Sequence, residues 1–99
     1  MDFLSFRLEE VDDRVSSLEA MASTRIDLHA TVMAEAQAVL DWAWCNFPSG
    51  HGQVDDGADW DHDVQVLVED GGWQTVTVTF TGTARFIEAF LAAFDVAED

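Results

Sequence analysis

The segment LSFRLEEVDDRVSSLEAMA, residues 4–22, decides how the rest of the chain is read. Its apolar positions Leu4, Leu8, Val11, Val15, Leu18 and Ala22 fall at alternating steps of four and three, with Glu9, Glu10, Asp12, Asp13 and Glu19 between them. That is the period of an amphipathic helix with one apolar seam. Leu4, Phe6 and Leu8 also alternate with Ser5 and Arg7, so residues 3–8 fit a short third strand as an alternative, feeding a helix from Glu10. The longer pattern favours the helix.

Ser23 and Thr24 then interrupt the pattern with N-cap chemistry, and Asp27 follows three residues later, where a first-turn carboxylate suits the helix dipole. A second helix is expected from here to Phe47. One face carries Ile26, Met33, Ala36, Leu40, Ala43, Trp44 and Phe47, and Leu28, Val32, Val39 and Trp42 widen it, as in a central, mostly buried helix. Pro48 and Gly50 end it.

Beyond residue 63 the period changes to two. Val64, Val66 and Val68 precede Asp70-Gly71-Gly72, and Val76, Val78 and Phe80 alternate with Thr75, Thr77 and Thr79. This predicts an antiparallel β-hairpin. A two-residue turn would put the two valine sets on opposite faces. A three-residue loop, Asp70 to Gly72, instead pairs Val68 with Gln74, Val66 with Val76 and Val64 with Val78, which gives one apolar face. Thr83 then caps a last helix whose Phe86, Phe90 and Phe94, with Ile87 and Leu91, can lie on that face. The expected fold is a single α+β domain over residues 1–99, ordered α-α-β-β-α. A lone two-stranded sheet is marginal in water, so either residues 3–8 add a strand or a second copy pairs at an edge, which makes a homodimer an expectation.

Composition bounds the role. Ninety-nine residues allow one core, and 48% apolar residues with seven Phe and four Trp are enough to build it. Twenty acidic residues face four Arg and no Lys, a formal charge of −16. Such a balance argues against direct binding to nucleic acid or an anionic membrane and favours cationic partners. Cys45 stands alone, so no internal disulfide forms and a reducing compartment is expected. The N-terminus lacks a basic region and an apolar core, and no apolar run approaches the ~20 residues that span a bilayer, so the expected location is cytoplasmic.

Residues 48–63 lack apolar periodicity and hold three Gly, two His and five Asp, a connection longer than compact domains usually keep without a use. Asp59, Asp61 and Asp63 alternate as at the start of an EF-hand loop, but Val64 takes the place of its turn glycine and a strand follows. His51 and His62 are candidate transition-metal ligands without a motif to join them. The segment reads as a solvated acidic loop, with no metal and no cofactor assigned. No Gly-rich phosphate loop, CxxC, HExxH or GxSxG occurs, and no spacing ties Cys45 or a serine to a histidine. The chain reads as non-enzymatic.

Carboxylates displayed along a surface can compete for Arg and Lys side chains meant for DNA, whose duplex presents one charge per ~1.7 Å. In size and charge the chain resembles the small acidic inhibitors that phages and mobile elements direct against nucleic-acid-binding defence machinery, anti-CRISPR and anti-restriction DNA mimics among them. The resemblance implies a non-enzymatic inhibitor docked on a basic nucleic-acid-binding protein, and it extends to no alignable segment, so no residue role transfers. From the residues themselves, the contact set is Glu9, Glu10, Asp12, Asp13, Asp55, Asp56, Asp59, Asp61 and Asp63, with Trp60 as an apolar anchor. Two alternatives stand beside it: an acidic domain adapted to concentrated salt, and a divalent-metal module built on residues 51–63.

Overall fold

The computed structural model describes residues 3–11, 14–48, 50–52, 57–94 and 96–98, the last three by backbone alone. The chain order is β1 (Phe6–Glu10), β2 (Val15–Arg25), a 3-10 turn (Ile26–Leu28), α1 (His29–Asn46), β3 (Trp60–Glu69), β4 (Trp73–Thr83), α2 (Ala84–Ala93) and β5 (Val96–Glu98). β3, β4, β2 and β1 form an antiparallel sheet in that order, and β5 adds to β1 in parallel. Both helices lie on one face of it.

The α-α-β-β-α expectation is therefore overturned at its first element. Phe6–Glu10 and Val15–Arg25 are strands, because the period that governs burial in them is two. Leu4 and Phe6 are buried while Ser5 and Arg7 are exposed, and Leu18, Ala20 and Ala22 are buried while Glu19 and Met21 are exposed. Val11, which the helical seam required, is 61% exposed. β2 then pairs along its whole length with β4, from Val15 against Thr83 to Arg25 against Trp73. This cooperative pairing outweighs local helix propensity. The alternative strand at residues 3–8 lies nearer the truth, shifted to Phe6–Glu10.

The second helix starts late for the same reason. Thr24 is a buried strand residue whose hydroxyl donates to the Arg25 carbonyl, and not an N-cap. Helix α1 begins at His29 and buries Val32, Ala36, Val39 and Ala43 at steps of four, three and four. Its Glu35 carboxylate accepts the Phe3 and Leu4 N–H groups at 3.0–3.2 Å and so fixes the approach to β1.

The hairpin register is the expected one: Val64 opposes Val78, Val66 opposes Val76 and Val68 opposes Gln74. Gly71 and Gly72, at φ of 84° and 80°, supply the left-handed conformations the three-residue loop needs. Helix α2 lays Phe86, Ile87 and Phe90 on the apolar face. The N-terminal strands complete the sheet within one chain, which removes the lone hairpin that called for a second copy.

One close approach holds the core together. Trp60 opens β3 opposite Gly82 of β4, and its ring stacks on Phe86 at 5.6 Å and 10°. A Cβ at Gly82 would lie 2.5 Å from Phe86 Cδ2, and Phe86 is fully buried and has no room to retreat. Gly82→Ala is expected to destabilise the protein by about 1–3 kcal/mol through overpacking, read by urea denaturation. Replacing Phe86 by Leu in the Gly82→Ala background should recover part of that loss, whereas strictly additive losses would contradict the assignment.

Candidate functional site

Because α1 and α2 cover only the face that carries Phe6, Phe80 and the valines, the opposite face of the sheet is open. Strand alternation sends Asp61, Asp63, Gln65, Leu67 and Glu69 of β3 to that face, with Thr81, Thr79, Thr77 and Thr75 of β4, Ser17, Glu19 and Met21 of β2, and Arg7 and Glu9 of β1. The register aligns these in rows: Asp61–Thr81–Ser17–Glu9 and, one step along, Asp63–Thr79–Glu19–Arg7. At ~4.8 Å between strands, Asp63 and Glu19 stand roughly 10 Å apart across a threonine, and Asp61 and Glu9 roughly 14 Å apart. Glu9, Glu19, Asp63 and Glu69 are exposed. Arg7 and Arg25 share the face, and Arg25 lies over the Trp73 ring at 5.8 Å. Five carboxylates against two guanidiniums leave it electronegative.

The contact set read from sequence divides on this frame. Glu9, Asp61 and Asp63 come together on the open face, and Glu10, also exposed on β1, alternates away from it. Asp12, Asp13, Asp55 and Asp56 lie outside the described residues. Asp59 serves the fold: its carbonyl accepts the Thr83 N–H at 2.9 Å, and its carboxylate accepts the Thr83 hydroxyl at 3.3 Å and stands 3.9 Å from Arg85. Trp60 is a correction. Its side chain is fully buried, with Nε1–H donating to the Phe47 carbonyl at 3.1 Å, so it anchors the core and offers no ring to a partner. Glu19 was missed, because its place on this face depends on β2 being a strand; Glu69 reaches the face by the hairpin alternation alone, with Gln65 and the threonines, and only the contact set left it out.

The second cluster sits at the start of β3. Residues Gly50–Gly52 run beside it: the Gly50 carbonyl accepts the Asp59 and Trp60 N–H groups, the Gly52 N–H donates to the Trp60 carbonyl, and His51 bridges to Trp60 in parallel. This brings His51 Nε2 to 2.9 Å from His62 Nδ1 and 3.4 Å from Asp61 Oδ1. The Asp61 carboxylate also accepts the His62 backbone N–H at 2.8 Å. The three side chains are the group of potential metal donors among the described residues, and their donor atoms all lie within 4.8 Å of one another.

Burial, and then His51 beside it, holds His62 below the ordinary histidine value of 6.5 against the opposing pull of Asp61 and Asp63. The unfolded chain thus takes up the proton more readily than the folded one. The His62 contribution to stability is complete above about 6.5 and is lost as pH falls from there toward the lowered folded value. Urea titrations from pH 8 to 5 should show wild type losing stability relative to His62→Gln across that window. A difference that does not change with pH would contradict the burial argument.

Comparison with protein-family models, curated proteins and solved structures finds no match to this chain, so its sites are read from their own geometry.

Proposed function

We propose that the protein is a non-enzymatic interaction protein that docks the open face of its sheet on a basic, nucleic-acid-binding protein and competes there with nucleic acid. The observation that supports this reading is the helix-free face itself, on which Glu9, Glu19, Asp61, Asp63 and Glu69 are set out in register among threonine hydroxyls. A sheet face is rigid, so its carboxylates keep fixed spacings and bind with little loss of conformational freedom. The formal charge of −16 adds long-range attraction that speeds encounter at low salt. Met21 and Leu67, 58% and 63% exposed on the same face, take over the apolar part first given to Trp60. Threonines contribute donors that can reach backbone carbonyls of the partner.

The test is displacement. A panel of basic nucleic-acid-binding proteins is pre-bound to fluorescent duplex DNA and titrated with this protein at several salt concentrations. At least one should release its DNA, less efficiently as salt rises. Neutralising Glu9, Glu19 and Asp63 together (to Gln, Gln and Asn) should weaken displacement by about tenfold or more, mainly through a slower association rate. Asp27, Asp41 and Glu88, exposed on the turn and helices, form the control set, and neutralising them should have little effect. Equal losses from both sets, or no displacement from any panel member, would overturn the reading.

A further inference from the structure

We infer that His51, Asp61 and His62 form a binding site for one divalent transition-metal ion of the zinc class. The inference does not depend on docking by the sheet face.

The donors converge from two segments that the backbone has already locked together. His62 and Asp61 are neighbours on β3, and His51 is carried by the Gly50–Gly52 segment through its hydrogen bonds to Asp59 and Trp60. The His51 ring is held between Trp44 and Trp60, at centroid distances of 4.6 and 4.5 Å. The Asp61 carboxylate is oriented by the His62 N–H. The ligands are therefore set by packing and hydrogen bonds before any ion arrives.

The spacing suits the ion. Bonds of 2.0–2.1 Å to imidazole and carboxylate donors in a tetrahedron put neighbouring donor atoms about 3.3 Å apart. His51 Nε2 and Asp61 Oδ1 are at 3.4 Å. His51 Nε2 and His62 Nδ1, at 2.9 Å, need to open by about 0.4 Å as the N–H proton between them moves to the other nitrogen of its ring and both facing nitrogens present lone pairs to the metal. Two imidazoles and one carboxylate are a borderline donor set: they favour Zn²⁺, Co²⁺, Ni²⁺ or Cu²⁺ and disfavour Ca²⁺ and Mg²⁺, which ask for oxygen donors. Three protein ligands leave one tetrahedral position for water or an exogenous donor.

Chelator-treated protein is titrated with Zn²⁺ by calorimetry in the presence of excess Mg²⁺, which occupies the diffuse acidic surface. A saturable one-to-one isotherm is expected. Long-range proton–nitrogen NMR should show His51 Nε2 and His62 Nδ1 moving, while His29, paired through Nδ1 with Gln74 Oε1 at 3.0 Å, stays still. Substitution of His51 risks the fold because its ring packs on two tryptophans, so Asp61→Asn, a part-exposed and nearly isosteric change, is the principal variant. It should weaken Zn²⁺ by about tenfold or more with an unchanged circular dichroism spectrum, and His51→Gln combined with His62→Gln should abolish the one-to-one binding. Heats that Mg²⁺ removes, ring nitrogens that do not respond, or undiminished binding by both variants would overturn the inference.

Discussion

The burial of Trp60 sets the rest of the structure. Its indole joins the end of α1, through the Phe47 carbonyl, to β4 at Gly82 and to α2 at Phe86. Once that ring points inward, strand alternation leaves no further choice along β3. His62 must follow it to the inner side, where its ring lies 5.9 Å from Trp60 and 6.4 Å from Phe80, and Asp61 and Asp63 must face outward. A one-residue slip would bury both aspartates and expose the indole, at a cost no pairing elsewhere in β3 could offset. The same constraint thus creates the acidic face and places a histidine within reach of His51.

The division of labour between the two faces of the sheet follows from it. Helices α1 and α2 supply a nearly continuous aromatic layer, with Trp42 edge-on to Phe47, Phe86, Phe90 and Phe94. This concentrates the apolar content on one side. The acidic excess is left to the other side and to the helix surfaces, so an apolar fraction of 48% and a charge of −16 coexist in 99 residues without conflict. No helix among the described residues is long and apolar enough to cross a membrane.

How far the sequence disclosed this varied with the locality of the controlling interaction. The β3–β4 register was legible because valine alternation and a Gly-Gly loop lie within 17 residues of each other and admit one apolar pairing. Helix α2 was legible from its phenylalanine stripe. The first two strands were not, because their buried positions include Ala20 and Ala22, whose small side chains carry little hydrophobic signal, while exposed Val11 and Met21 carry more. Leu4, Leu8 and Leu18 satisfy both periods by coincidence, whereas Val15 fits only the helical seam and shares the open face of Ser17, Glu19 and Met21. Trp60, set between two aspartates, is in phase with Val64 and Val66 only by way of the polar His62, and its burial depends on Gly82 and Phe47 far along the chain. The His51 and His62 pairing is similarly invisible, since ten residues of acidic connection lie between them and only the bridge to Trp60 closes the gap.

That the carboxylates are displayed for a cationic receptor, and are not an adaptation to concentrated salt, is tested most directly by circular dichroism in tens of millimolar salt set against molar salt. A sheet organised around Trp60 and a full aromatic layer should keep its spectrum and a single cooperative melt in the dilute buffer, where attraction to a basic partner is strongest. Loss of the folded spectrum on dilution, with recovery at molar salt, would show that self-repulsion of the acids is tolerable only under screening and would contradict the account.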